Sequence, residues 1–289
     1  MGVSCNLCGQ DSASVLFVKK GFILGRCAYC ELVYVQNPPE AEELRILYSF
    51  QAGYHECFRD DEAVCEKQIA LAVEHYDLMK TFKAGGRLLD IGCSAGFFLK
   101  VARDLGWETY GLELSSDTAT LARERYGLEV AVGELQESTF QSNYFDVVTL
   151  WDVIEHLADP KKTLSIVQRI LKDDGILVIS TPNIDGVFPR LSYKIAHLIN
   201  YWPHPEPPRH LFQFSKKTLG HLLQITGFEL LEARDDRIPI DYSFGNVKEV
   251  LRSLKKLSYS LVFIPIALAG PLIKAGDNLI VAATKAGAR

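Results

Sequence analysis

The sequence predicts an α/β protein, a doubly wound sheet of seven strands preceded by a small four-cysteine module. Three observations lead there. From Arg87 onward, short β-branched or apolar runs alternate with amphipathic helical segments to the end of the chain, the pattern of a parallel sheet flanked by helices. The first of these strands closes in the small-residue run Leu88-Leu89-Asp90-Ile91-Gly92-Cys93-Ser94-Ala95-Gly96, and a helix opens at once. Ahead of it stand Cys5-x-x-Cys8 and Cys27-x-x-Cys30.

Taken in order, residues 1–38 form the cysteine module, with strand-like alternation at Val15 to Val18 and Leu32 to Val35. Asn37-Pro38-Pro39 breaks regular structure, and residues 39–84 read as connecting helices or a lid. Residues 85–289 make the sheet domain. Strands are expected at Arg87 to Ile91, Glu108 to Leu112, Leu128 to Val132, Phe145 to Leu150, Gly175 to Ser180, Glu229 to Ala233 and Leu279 to Ala283, with a helix at Phe97 to Leu105. A cap loop is expected at 184–215. Ligands of such sheets bind at the carboxyl ends of the strands, where strand order reverses.

Composition sets further bounds. With 48% hydrophobic and 23% charged residues, the 289-residue chain can bury a sizeable core. Its net charge of -5 opposes a nucleic-acid-seeking surface, since phosphate binding relies on Lys and Arg; no nucleic-acid partner is expected. No cationic start or apolar core of a signal peptide appears in the first twenty residues, so a reducing, cytoplasmic location is expected. The segment 257–273 holds seventeen uncharged residues between Lys256 and Lys274. It falls short of the ~20 apolar residues of a membrane span and includes Pro265 and Pro271. It reads as a cap over an apolar pocket or as a peripheral membrane or lipid-substrate contact.

The two Cys-x-x-Cys pairs are separated by eighteen residues, the spacing of a zinc ribbon. Each pair aims two thiolates at one point, and Cys5, Cys8, Cys27 and Cys30 together complete a sulfur cage with no open position, so a zinc there is structural. Cys57, Cys65 and Cys93 lack a partner knuckle and read as buried small apolar residues.

A dinucleotide cradle would need glycines at 92, 94 and 97, where this chain has Gly92, Ser94 and Phe97. A cofactor without a pyrophosphate fits better. Glu113, twenty-one residues after Gly92 at the end of the second strand, suits a ribose diol. Turn and acid together point to an adenosine.

Leu88 to Gly96, Tyr110-Gly111-Leu112-Glu113-Leu114-Ser115 and Phe145-Asp146-Val147-Val148 resemble the first motifs of class I S-adenosylmethionine-dependent methyltransferases with a Rossmann-like sheet. Trp151-Asp152-Val153-Ile154-Glu155-His156-Leu157 and Gly175 to Asn183 resemble the ubiquinone/sugar-type branch, and Arg209-His210-Leu211 to Ser215 continue the likeness. The cysteine module followed by Tyr48 and Tyr54 is similar to that of deoxysugar methyltransferases, whose long C-terminal extension is not expected here. The resemblance implies S-adenosylmethionine as cofactor, with Asp90 supporting the turn. Gly92, Cys93, Ser94 and Gly96 would face the methionine part, Glu113 would hold the ribose, Glu134 would lie near the adenine, and Trp151 and Asp152 would border the methionine moiety and the methyl group, with Leu114, Leu135 and Tyr54 also among the cofactor-binding residues. Glu134 reads equally as a solvated loop acid.

Methyl transfer to a hydroxyl calls for a base. His156 and His210 are the candidates, and Glu155 could orient one of the two. His156 reads equally as a hydrogen-bonded structural histidine at a helix start, and the proline-stiffened aromatic loop before His210 reads as a lid or acceptor pocket or as a surface crossing. The fourth strand ends in Trp-Asp rather than the Asn-Pro-Pro-Tyr of amino-group methylation, which favours an oxygen or carbon on a small molecule, sugar-linked, polyketide-like or isoprenoid/quinone-like. The rival readings are an RNA methyltransferase using the ribbon as a clamp and a non-catalytic cofactor-binding or interaction protein. The sequence leaves the oligomeric state open.

Overall fold

Central strands of a parallel sheet are buried on both faces, and uninterrupted apolar runs meet that demand. Strand β4 (Arg87–Ile91) and strand β7 (Phe145–Trp151), numbered along the chain, are largely such runs, broken only by Arg87, Asp90, Asp146 and Thr149, with Leu88, Leu89, Val147, Val148 and Leu150 fully buried. These elements belong to a computed structural model that describes residues 3–199, 201–245 and 250–287. The chain divides into two compact units. The larger comprises Pro39–Ile179, Leu223–Leu231 and Ala282–Arg289; the smaller comprises Met1–Pro38, Ser180–Leu222 and Glu232–Val281.

The larger unit opens with α1 (Ala41–Leu47), two 3-10 turns at Phe50–Ala52 and Glu56–Phe58, and α2 (Glu62–Met79). After β4 come α3 (Phe97–Asp104), β5 (Glu108–Glu113), α4 (Ser116–Tyr126), β6 (Val130–Val132), β7, α5 (Pro160–Ile170) and β8 (Leu171–Pro182). With β10 (Phe228–Asp236) and β11 (Asn278–Lys285), the sheet runs in the order β10-β11-β8-β7-β4-β5-β6. β4 pairs in parallel with β5 on one side and β7 on the other, and β5 with β6. The chain therefore winds outward from β4 to β6 and returns to the opposite side of β4. That reversal opens a crevice beyond the carboxyl ends of β4 and β7.

All seven expected strands are present, with ends that side-chain partners move. β8 begins at Leu171 rather than Gly175 because its polar start is held: the Lys172 ammonium contacts both Asp146 oxygens at 2.9 and 2.8 Å, and Lys285 bonds Asp173 at 3.1 Å. β6 begins at Val130 rather than Leu128. Gly127, at φ +65°, ends α4 in a left-handed cap, and the buried Leu128 side chain packs where a Cβ on Gly96 would sit. Of the three cysteines outside the knuckles, Cys65 and Cys93 are buried, but Cys57 is exposed, its 3-10 turn offering no apolar face to receive it.

In the smaller unit, β1 (Ala13–Lys19), β2 (Phe22–Cys27), β3 (Val33–Val35) and β9 (Phe212–Gln213) form an antiparallel sheet in that order. β2 escapes a sequence reading because Gly25 interrupts its alternation, and β9 because it is two residues long. The ribbon's apolar residues do not stand alone. Phe17, Leu24 and Val33 share a core with Ile184, with Ala196 of α6 (Val187–Ile199) and with Trp202. Lys19 donates to the carbonyls of Trp202, Pro203 and Pro205 at 2.9, 3.2 and 2.6 Å, and burial lowers its pKa to about 8. The segment 184–215, expected as a cap loop, thus carries a helix, and its described part from Tyr201 to Pro205 is anchored to β1. α7 (Lys216–Ile225) follows β9 in sequence. The segment 257–273 lies in a helix, α9 (Leu254–Ala269), and a 3-10 turn, Pro271–Ile273; α9 packs with α6 and α8 (Ile240–Phe244). Among the described residues no helix is long and apolar enough to cross a membrane.

Candidate active site

The loop between β4 and α3 is shaped by backbone that few residues tolerate. Gly92 sits at φ +73° and Gly96 at φ +79°, the left-handed region open to glycine. A Cβ on Gly92 would lie 2.5 Å from Val153 Cγ2, so the turn is also closed to a side chain by space. Ser94 adopts φ +50° without being glycine, and its hydroxyl meets His55 Nδ1 at 2.7 Å.

Glu113, at the end of β5, holds this loop in place. Its two carboxylate oxygens accept the backbone N–H groups of Ser94 and Ser115, each at 2.8 Å. The Leu114 backbone N–H and the Thr118 hydroxyl also bond this carboxylate, so a ribose diol would share these oxygens with them. The Ser115 hydroxyl beside it is buried without a hydrogen-bond partner among the described residues, a second group suited to that diol. Asp90, at the carboxyl end of β4, accepts from Thr149 Oγ1 at 2.7 Å. Burial raises its pKa to about 7, against the opposing Thr149 bond and with help from the negative charge of Glu113. Burial likewise raises the Glu113 carboxyl, its backbone N–H partners working against that shift.

The segment between α1 and α2 forms an aromatic row along this loop. Tyr48 meets Tyr54 edge-on at 5.0 Å, Tyr54 stacks on His55 at 3.7 Å, His55 lies 4.5 Å from Phe58, and Phe58 meets Phe97 of α3 at 5.1 Å. At the other end of the row the Tyr48 hydroxyl is 3.0 Å from His156 Nδ1. Arg125 of α4 fastens the segment by donating to the carbonyls of Phe58 and Arg59 at 2.7 and 2.5 Å. Trp151, ending β7, stacks face to face on His75 of α2 at 3.9 Å, and its indole N–H is buried without a partner among the described residues. Burial lowers the His75 pKa to about 4, so its ring is neutral near pH 7.

The Methyltransferase domain model matches residues 61–233, three fifths of the chain. The chain belongs to this methyltransferase family. Among curated proteins it is 35% identical to a ubiquinone biosynthesis O-methyltransferase of Ruegeria sp. over 141 residues, 46% of this chain and 54% of that protein. It is 29% identical over 148 residues to a probable S-adenosylmethionine-dependent methyltransferase of Mycolicibacterium smegmatis, 51% of this chain and 53% of that one. The chain thus spans about half the length of these relatives. Among solved structures, a SAM-dependent methyltransferase from Archaeoglobus fulgidus shares the fold with a TM-score of 0.53 at 19% identity, covering 75% of this chain and 94% of that one.

Within the methyltransferase domain the larger unit brings together most of the sequence-predicted site residues. Asp90, Gly92, Ser94, Gly96 and Glu113 are linked as described, with Tyr54 in the row beside them and Trp151 at the end of β7. Cys93 lies on the same loop, but its thiol points into the core toward Gly111, and its backbone N–H and carbonyl bond the Leu112 carbonyl and the Gly96 N–H. Leu114 is half-buried between Glu113 and Ser115; Leu135 is buried and Glu134 exposed after β6; Asp152 is exposed at φ +53°. The bond to His156 comes from Tyr48, while the nearest Glu155 oxygen stands 4.0 Å from His156 Nε2, beyond hydrogen-bond reach. His210 lies in the smaller unit, where its backbone N–H bonds the Glu206 carbonyl at 3.0 Å. Sequence reading missed the roles of His55, His75 and Ser115. The first two precede the sheet by tens of residues and carry no local motif; Ser115 lies inside a quoted motif but reads there as an ordinary helix N-cap.

The Asp90 shift gives a pH dependence. A buried carboxyl with a folded pKa near 7 and an unfolded pKa of ~3.9 contributes stability that is full below pH ~4 and is lost as pH rises through about 7. Asp90→Asn, which keeps an acceptor for Thr149, is expected to gain stability over wild type between pH 5 and 8 by roughly a few kcal/mol. Urea unfolding of both proteins across that range checks it; parallel curves would contradict the assignment.

Proposed function

We propose that this chain transfers a methyl group from S-adenosylmethionine to a hydroxyl oxygen of a small-molecule acceptor, with a structural zinc in its ribbon. The observation that carries the cofactor reading is the Glu113 clamp: one buried carboxylate at the end of β5 bonds the Ser94 and Ser115 backbones and borders the unpartnered Ser115 hydroxyl, where a ribose diol would meet both. The strained glycine turn and the unpartnered Ser115 hydroxyl and Trp151 indole N–H fit an adenosine-bearing ligand with a polar tail. Bound S-adenosylmethionine would supply an electrophilic methyl on a sulfonium, whose loss leaves a neutral thioether. Tight burial on this side of the loop serves to exclude water and align the acceptor.

Support for an oxygen acceptor is twofold. His156 is oriented by Tyr48, as a base that removes a hydroxyl proton must be, and the named relatives from Ruegeria are O-methyltransferases. Quinone-like phenols, sugar-linked hydroxyls and polyketide-like hydroxyls all fit. His210, in the smaller unit, is the second candidate base.

For the zinc, the two knuckles are built alike. The N–H groups of Gly9 and Glu31 bond back to the Cys5 and Cys27 carbonyls at 2.7 and 3.1 Å, and both residues are left-handed. The four sulfurs lie within 4.8 Å of one another, with Cys5 to Cys30 at 3.4 Å and Cys8 to Cys27 at 3.5 Å. Sulfurs ~2.3 Å from a central tetrahedral zinc would be ~3.8 Å apart, close to these separations.

Calorimetric titration should show S-adenosylmethionine binding without NAD binding, and Glu113→Ala should weaken it at least ~30-fold through loss of a charge-assisted pair of bonds. NAD binding, or neither, would overturn the cofactor reading. With an acceptor found by screening, His156→Ala should lower kcat ~100-fold or more while cofactor affinity holds, and Tyr48→Phe should shift the pH profile with a smaller loss. Normal turnover in both His156→Ala and His210→Ala would remove histidine from the base role. Metal analysis of purified protein should find one zinc per chain, absent in Cys30→Ser, whose melting temperature falls by roughly 10 °C. A metal-free wild type of full stability would refute the site.

A further inference from the structure

Helix α9 is apolar on both sides. Its inner face places Tyr259, Phe263 and Ala267 in a cluster with Phe188 of α6 and Phe244 of α8. Beyond Lys256 its outer face carries none of the charges of a solvated helix. Leu254, Leu261 and Val262 are 86%, 70% and 56% exposed, and the 3-10 turn beyond adds Leu272 and Ile273 at 86% and 63%. Leu198 of α6, which packs beside α9, is 85% exposed. Single exposed leucines are ordinary; a stripe at helical spacing continued by a second element marks an interaction surface.

The charges around the stripe identify its partner. Between residues 250 and 276 the chain holds Arg252, Lys255, Lys256 and Lys274 and no Asp or Glu, within a protein of net charge -5. All four lie at the two ends of the apolar run, none within it. At 16 residues α9 is ~24 Å long, shorter than the ~30 Å hydrocarbon core, and it contains Pro265. Such a helix lies along an interface rather than crossing it. Glu249 and Asp277 lie just outside this stretch, and the Lys255 ammonium stands 5.1 Å from the Tyr201 ring centre, so the stretch keeps a net positive charge.

We infer that α9 and the turn Pro271–Ile273 form a docking surface for a bilayer of anionic phospholipid. The leucines and Ile273 enter the headgroup and acyl boundary while Arg252, Lys255, Lys256 and Lys274 meet lipid phosphates. The inference is independent of the methyl-transfer reading.

Vesicle flotation of the full chain tests it, using phosphatidylcholine alone and phosphatidylcholine with about 30 mol% phosphatidylglycerol in about 0.1 M salt. Wild type should float with the anionic vesicles at least ~10-fold more than with neutral ones. Leu261→Asp combined with Leu272→Asp should lower flotation at least ~10-fold with an unchanged melting temperature, since both side chains are exposed. Lys255→Gln with Lys274→Gln should erase the preference for anionic lipid and leave the fold intact. Failure of wild type to float, or flotation of the double aspartate variant like wild type, would overturn the inference. So would a concentration-dependent dimer in sedimentation that Leu272→Asp abolishes without any vesicle binding, which would assign the face to a second copy.

Discussion

One buried carboxylate organises the cofactor side of this protein. Glu113 ends β5 and accepts backbone N–H groups from Ser94 and Ser115, so a single side chain fixes the loop after β4 and the start of α4 relative to each other. A buried, ionisable group is costly unless it is satisfied, and the backbone N–H groups of Ser94, Ser115 and Leu114 with the Thr118 hydroxyl supply that satisfaction. Asp90 lies close enough on the neighbouring strand for the charge of Glu113 to raise its pKa further. Two carboxyl groups a strand apart thus share one dry environment, and the glycine turn between them is held by the Glu113 bond to Ser94 as well as by glycine itself.

Around that clamp, the connecting segment before the sheet contributes more than linkage. The row from Tyr48 through Tyr54, His55 and Phe58 to Phe97 ties the loop after β7 to the start of α3, and Arg125 fastens it from α4. Ser94, held at φ +50°, is stabilised in that conformation by the His55 contact. Local strain there is offset by a partner drawn from thirty-nine residues upstream, an arrangement common at ligand-binding loops. On the α2 side, His75 stacked on Trp151 makes a wall that stays neutral because it is buried.

The smaller unit follows different physics. A four-cysteine ribbon has too little apolar surface to fold on a core alone, and here it shares one: Phe17, Leu24 and Val33 are covered by Ile184, Ala196 and Trp202, while Lys19 caps three carbonyls of the proline-rich stretch. The stretch expected from sequence as a cap loop is therefore packed in its described part from Tyr201 to Pro205. α9, by contrast, spends only one of its two apolar faces on that unit's interior.

The sequence by itself determined the class of fold, the seven strands, the paired cysteine knuckles, and the core of the cofactor loop, because those rest on short-range signals: alternation, glycine at fixed offsets, and an acid at a set interval from the turn. It also named His156, Tyr54 and Trp151, which sit at strand ends or beside recognisable motifs. What only the tertiary structure decided were contacts between residues far apart in the chain. Tyr48 rather than Glu155 bonds His156, Lys172 and Lys285 extend β8 through polar residues, Cys93 turns its thiol inward toward Gly111, and His55 and His75 join the site without a motif. Periodicity states which face of an element is apolar; it does not state what will cover that face. That choice belongs to packing, which is why the two-sided apolarity of α9 became legible only once one side was seen to be filled.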